Sequence, residues 1–273
     1  MGSSKFKKSP FIEKYVYIPH SIGSTHLTYN EKAFDNFDVI LCAGKIHHKE
    51  IQKREEKFKL KKKELVPFGY PWITNLKKKL EISNKDKKNI NKNVLYAPSW
   101  GKNSSLEFVD TNLISYLLKI GCKVYFKPHP MSFSHNKKAI KKIEQEFLAD
   151  KNFFLKNLDD IFLIRTADLL ITDWSGISFE YFFVKRNPKI IFLDTPIRAI
   201  NKNYKDLELE TIEEKYRNDM GIIANLDFVE IKKKVDIALK TETDKNLKNS
   251  KIENDILFNY DKCINNLLEI LKK

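Results

Sequence analysis

The stretch Ala167-Asp-Leu-Leu-Ile-Thr-Asp173-Trp-Ser-Gly-Ile-Ser178-Phe-Glu180 decides the fold. Its apolar run, Leu169 to Thr172, has the length of a buried parallel strand, and a helical pattern starts directly after Asp-Trp-Ser-Gly. A strand that ends in small hydroxyl residues and Gly, then enters a helix at once, presents backbone N–H groups to a phosphate. In open α/β sheets ligands bind at the carboxyl ends of strands, where this turn falls. A second apolar run, Val124-Tyr-Phe-Lys127-Pro-His129-Pro130, ends in a cation and an imidazole. The two strand ends lie about forty residues apart and together imply a nucleotide diphosphate site rather than a loop for a single anion.

Working outward, strands and helices alternate along the whole chain, with no internal repeat. The apolar runs predict strands at Lys14–Pro19, Val39–Ala43, Leu65–Pro67, Asn93–Ala97, Lys123–Lys127, Phe153–Leu155, Leu169–Thr172 and Lys189–Leu193. Helical periodicity predicts Lys45–Leu60, Trp72–Glu81, Leu113–Ile120, Lys137–Leu148, Leu158–Thr166, Gly176–Phe183, Phe228–Leu239 and Asn254–Leu271. That order implies a parallel, doubly wound α/β architecture. The polar run Ser83-Asn-Lys-Asp-Lys-Lys-Asn-Ile-Asn-Lys92 precedes a buried strand and is the best boundary, as a linker or as a surface loop. The expected organisation is a small α/β domain over 1–82, a linker over 83–92 and a Rossmann-like domain with a terminal helix over 93–273. Three strands before the boundary are few, so the N-terminal half is expected to be short or truncated.

Composition narrows the classes. The chain has 273 residues, 42% hydrophobic and 12% aromatic, which supports real cores and excludes a disordered protein. Its formal net charge is +14, carried mostly by lysine alternating with asparagine. Such a surface favours anionic lipid or an anionic polymer, and no RNA-binding or helix-turn-helix signature points to nucleic acid. No stretch reaches the apolar length of a membrane span and no signal peptide is visible, so any membrane association is expected to be peripheral. Cys42, Cys122 and Cys263 sit far apart among apolar residues and are expected to be buried, reduced thiols. The terminal pattern Ile256–Leu271 fits packing back onto the protein better than membrane binding, because its positive charge is modest.

Several residues have the chemistry for a site. Val94-Leu-Tyr-Ala97-Pro98-Ser99-Trp100-Gly101 turns outward at the ligand edge of the sheet, where Trp100 either stacks on a base or simply packs. Two prolines fix the backbone around His129, whose imidazole suits the charge on a departing nucleotide phosphate. Ser175 and Ser178 reach phosphate oxygens and Glu180 ribose hydroxyls, unless Ser175 only caps the helix and Glu180 is a solvated helix residue. Asp173 is placed to orient the loop. Val16-Tyr-Ile-Pro19-His20-Ser21-Ile-Gly23 sets another histidine just past a strand, where it is either structural or a general base. His47 and His48 are adjacent on an amphipathic helix and point in different directions, which argues against a metal site. His26 and His135 carry no readable context.

Taken in order, His20, Tyr-Ala-Pro-Ser-Trp, Lys-Pro-His-Pro and the Thr-Asp-Trp-Ser-Gly turn resemble the CDP-glycerol glycerophosphotransferase family over about residues 14 to 200. These are bacterial enzymes of teichoic-acid and capsule synthesis with a GT-B fold. The resemblance implies transfer of glycerol phosphate, or another polyol phosphate, from a CDP-activated donor to a hydroxyl acceptor. No cofactor and no catalytic metal are implied. It puts a general base at His20 and a diphosphate contact at His129, and carries the phosphate turn onto Thr172, Ser175 and Gly176 and its acidic position onto Glu180. Lys127, Ser178, Ser99 and Trp100 complete the expected donor site. The chain departs from the family pattern in having Ser21 after His20, and Gly176 in place of a second serine.

The expected partners are a CDP-polyol donor, an anionic polymer or lipid-linked acceptor and an anionic membrane surface. The expected location is cytoplasmic, peripheral at the inner face of the cell membrane. Two alternatives stand beside this reading: a GT-B glycosyltransferase using a nucleotide sugar, and a catalytically inactive nucleotide-binding fragment. Diphosphate and ribose contacts look alike in all three.

Overall fold

The computed structural model describes residues 8–82, 92–109, 111–155, 160–185, 187–241 and 246–272. In chain order the elements are β1 (Val16–Tyr17), α1 (Thr25–Thr28), β2 (Val39–Cys42), α2 (Lys45–Lys57), β3 (Glu64–Pro67), α3 (Pro71–Ile82), β4 (Asn93–Tyr96) and α4 (Asn112–Lys119). They continue with β5 (Lys123–Phe126), α5 (Ser132–His135), α6 (Lys137–Phe147), β6 (Phe153–Leu155), α7 (Asp160–Thr166), β7 (Leu169–Thr172), α8 (Ile177–Val184) and β8 (Ile190–Leu193). The last are α9 (Ile212–Met220), β9 (Ile222–Ala224), α10 (Phe228–Lys240), α11 (Asn246–Ile256) and α12 (Tyr260–Lys272). The chain forms two compact units, one of Met1–Asn75, Ala199–Tyr216 and Ser250–Lys273, the other of Leu76–Arg198 and Arg217–Asn249.

The second unit is built on a six-stranded parallel sheet in the order β6-β5-β4-β7-β8-β9. Counted from its own first strand this is 3-2-1-4-5-6, the doubly wound order, with the switch point between β4 and β7. The central strands Asn93-Val-Leu-Tyr96, Leu169-Leu-Ile-Thr172 and Ile190-Ile-Phe-Leu193 are buried throughout. Continuous apolar runs are what a sheet covered on both faces requires. One face packs Val94, Tyr96, Val124, Phe126, Leu169 and Ile171 against Leu113, Leu117, Ile140, Ile143, Ile231 and Val235 of the helices.

The first unit holds a three-stranded parallel sheet, β1-β2-β3. Strand β2 serves two cores with period 2: Ile40 and Cys42 join Tyr29, Phe34 and Ile51, whereas Val39 and Leu41 join Val66 and Phe68. The carboxyl-terminal segment passes close against this sheet. A Cβ on Gly44 would lie 1.9 Å from the carbonyl oxygen of Ile256, and one on Gly69 (φ +89°) would lie 2.5 Å from that of Phe258. Only glycine fits at either place.

The eight expected strands are all present. The ninth, β9, is a three-residue edge strand directly after a helix, too short to carry a period of its own. The terminal helix expected over 254–271 is interrupted. The Phe258 amide donates to the Ala43 carbonyl at 2.7 Å instead of continuing the helix, and α12 starts afresh at Tyr260. Helix α9 and the short α1 and α5 were not legible in the sequence. The expected linker lies almost wholly outside the described residues. Cys42 and Cys122 are buried, but Cys263 is only half-buried, on a helix whose outer face meets solvent. Among the described residues no helix is long and apolar enough to cross a membrane.

Candidate functional site

In the six-stranded unit the site forms where β4 and β7 end, at the switch point. Asp173, 1% exposed, ties the two strand ends together. One carboxylate oxygen accepts from the amides of Ser99 (2.8 Å) and Trp174 (2.6 Å), the other from the amide of Ser105 (2.7 Å). A buried carboxylate is stable only when bonded in this way. Asp173 therefore shapes the loop and is not available as a base. Thr172 adds a second tie, its hydroxyl donating to the Ala97 carbonyl at 2.7 Å.

Ser99 is held by its backbone. Its carbonyl accepts from the hydroxyls of Ser104 (2.7 Å) and Ser132 (3.4 Å), while its own Oγ is buried without a hydrogen-bond partner. Ser178 is buried and donates its hydroxyl to the Ser175 carbonyl at 2.9 Å. Ser175 and Glu180 are half-buried and Gly176 is exposed. Gly176 starts α8 with an ordinary helical φ of −60° and open space around it, and no side chain caps this helix. Neither backbone strain nor crowding demands glycine here.

The β5 end brings in His129. Its Nδ1 accepts from the Met131 amide at 3.1 Å, so in the neutral ring the proton sits on Nε2 as a donor. Burial, then the charges of Arg198 and Lys127, push its pKa down to about 4. Trp100 sits next to it, with ring centroids 5.9 Å apart, and also faces His135 at 4.8 Å. The Arg198 guanidinium lies 4.2 Å from the centre of the Trp100 ring, and its Nε donates to the Trp100 carbonyl at 3.1 Å. Opposite, Trp174 donates to the Thr195 carbonyl at 2.9 Å and carries the Arg217 guanidinium at 3.9 Å. Thus His129, Lys127, Trp100 and Ser99 belong to one neighbourhood, and Asp173 links it to the Thr172–Ser178 turn. Arg198 and Arg217 escaped sequence reading because the tryptophans they lie over, Trp100 and Trp174, are distant in sequence. His135 gains its context only from Trp100.

The three-stranded unit holds His20, exposed just past β1. The Tyr17 hydroxyl donates to that of Tyr29 at 2.7 Å and lies 3.2 Å from His20 Nδ1. With the Tyr17 proton committed to Tyr29, its oxygen accepts from Nδ1–H, and the neutral ring keeps a lone pair on Nε2. Partial burial of its ring against Tyr17 and Tyr29 lowers the pKa of His20. Tyr70 donates to the His20 carbonyl at 3.1 Å.

The segment after His20 is fixed by buried polar groups. His47 Nε2 faces the carbonyls of Ile22 (3.2 Å) and Gly23 (3.1 Å). Glu50 accepts from the Thr25 amide and hydroxyl (2.7 and 2.6 Å) and lies 3.3 Å from His26. Glu213 accepts from the Ser24 amide at 3.1 Å, and burial pushes its pKa up to about 7. His26 therefore has a context invisible in the sequence, the buried Glu50 carboxylate, which raises its pKa against the desolvation that lowers it. Among the described residues no group of three or more His, Cys, Asp or Glu side chains is placed to hold a metal.

Parallel sheets and a doubly wound order with its site at the strand ends define an α/β protein of the GT-B kind. A variant of the wall teichoic acid polymerase TagF aligns at TM-score 0.50 and 14% identity, covering 89% of this chain and 61% of that one. The UDP-GlcNAc 2-epimerase of Methanocaldococcus jannaschii aligns at TM-score 0.50 and 13% identity, covering 86% and 62%. The chain thus spans about three fifths of the length of these proteins, and the likeness shows the fold. A search of curated proteins found no match. The model of the CDP-glycerol:poly(glycerophosphate) glycerophosphotransferase family matches residues 19–235, most of the chain, and the protein belongs to that family.

Proposed function

We propose that the protein transfers glycerol phosphate, or a related polyol phosphate, from a CDP-activated donor to a hydroxyl acceptor in teichoic-acid-like or capsular polymer synthesis. The observation that carries this reading is the complementary state of its two strand-end histidines, added to family membership. His20 keeps a lone pair on Nε2, and His129 keeps a proton on Nε2.

In the reaction an acceptor hydroxyl oxygen attacks the β-phosphorus of the donor. The new P–O bond forms as the bond from that phosphorus to the bridging oxygen breaks, and CMP leaves with the electron pair. The acceptor proton goes to a base, the role assigned to His20. His129 Nε2–H donates to the phosphate oxygens, with Lys127, Ser175 and the start of α8 adding charge and N–H groups, while Ser178, whose hydroxyl bonds the Ser175 carbonyl, shapes the turn. Glu180 is assigned to the ribose, Trp100 and Ser99 to shaping the donor pocket. Thr172 and Gly176 belong to the turn that presents the helix start. The net charge of +14 suits an anionic polymer or lipid-linked acceptor and peripheral attachment to an anionic membrane.

Binding calorimetry with CDP-glycerol, CDP, UDP-sugars and GDP-sugars tests the donor. Cytidine ligands are expected to bind selectively, with loss in His129→Ala. Selective binding of a UDP- or GDP-sugar would replace this reading with a glycosyltransferase, and binding without turnover would leave a nucleotide-binding module.

A further inference from the structure

The six-stranded unit contains two tryptophan–arginine pairs, and only one of the arginines is ion-paired with a carboxylate. Arg217 is 5% exposed and lies 3.9 Å over Trp174. It pairs with Asp194 at 3.1 Å and donates to the Leu193 carbonyl at 2.9 Å. Arg198, half-buried, lies 4.2 Å over Trp100 and gives its Nε to the Trp100 carbonyl. Among the described residues no carboxylate comes within ion-pair distance of it. Desolvation acts against its charge, and Asp173 offsets this only through space, because both Asp173 oxygens already serve backbone amides. A partly desolvated guanidinium without an anion is unfavourable unless an anion arrives.

Its surroundings point to the same ligand. Arg198 and Lys127 both act on His129 electrostatically and make this strand end electropositive. The buried Oγ of Ser99, next to Trp100 in sequence, also lacks a partner. With Nε given to the Trp100 carbonyl, the two terminal nitrogens remain as a fork, the geometry that receives two oxygens of one phosphate.

We propose that Arg198 is an anion-binding residue that pairs with the diphosphate of the nucleotide donor, whereas Arg217 is structural. The inference rests on the donor-binding half of the proposed function but not on the identity of the base or the transferred group.

The test uses inorganic pyrophosphate and CDP as probes, by calorimetry on the full chain. Arg198→Gln is expected to weaken both roughly 10- to 100-fold, and Arg198→Lys to weaken them less. In the same Arg198→Gln protein the His129 pKa, followed by NMR, is expected to rise, because a neighbouring cation is gone. If the variant does not fold, pyrophosphate titration of the wild type is expected to shift the Arg198 terminal N–H resonances. Unchanged pyrophosphate affinity in Arg198→Gln, no wild-type binding, or unmoved Arg198 resonances would each overturn the proposal. Pyrophosphate binding that needs Arg198 without turnover of CDP-glycerol would overturn the transferase reading and leave this inference standing.

Discussion

His20 and His129 look alike in the sequence, each next to a proline just past an apolar strand, yet their neutral rings adopt opposite tautomers. At His20 a tyrosine oxygen accepts a hydrogen bond from Nδ1–H, which leaves the lone pair on Nε2. At His129 a backbone amide donates to Nδ1, which leaves Nε2 carrying the proton. Neither ring is charged near neutral pH, because partial burial lowers one pKa and burial with two cations lowers the other. The lesson is that the second hydrogen bond of a histidine, not its position after a strand, sets which half of an acid–base pair it supplies.

The largest expected effect separates the two directly. His20→Asn should lower turnover about 100- to 10,000-fold while CDP affinity stays within a factor of two or so. His129→Asn should weaken CDP binding and turnover together, because it removes the proposed contact to the donor. Equal loss of binding in both variants would break the comparison.

Asp173→Ala should destabilise the fold by about 3 kcal/mol in denaturant titrations, since three amides lose their acceptor. Any loss of His129 function in that variant should be matched by loss of structure, whereas His20→Asn should melt like the wild type.

The pH dependence sharpens the contrast further. As the proposed base, His20 must be deprotonated, so kcat/KM should be retained above its pKa and lost as pH falls through a value below 6.5. His129 has a folded-state value of about 4 against 6.5, so its stability contribution is present above 6.5 and lost as pH falls toward 4. His129→Asn should flatten the stability profile in that window. The smallest effect belongs to Tyr17→Phe. It leaves Nδ1–H without its acceptor and should cost roughly fivefold in kcat, with the acid limb moved to lower pH.

How much of this was legible follows from the same physics. The buried parallel strands show because both faces of Leu169-Leu-Ile-Thr172 are apolar, and the turn after it shows through its Ser-Gly chemistry. The pattern at Asn254–Leu271 hid its break, because the interruption at Phe258 comes from a hydrogen bond to Ala43, far away in sequence. The candidate site was legible in its strand-end histidines, whereas the surroundings of Arg198 and Arg217 and the partners of Asp173 were not. Those depend on which loops meet at a switch point, and no local period encodes that. His26 was silent for the same reason, its partner Glu50 lying one helix further on.

The most direct test is release of CMP from CDP-glycerol in the presence of a poly(glycerol phosphate) acceptor, compared between the wild type and His20→Asn with CDP binding measured in parallel. Release by the wild type, and its loss in a variant that still binds CDP, is the predicted result. Wild-type rates in His20→Asn, or no release by the wild type, would contradict the account.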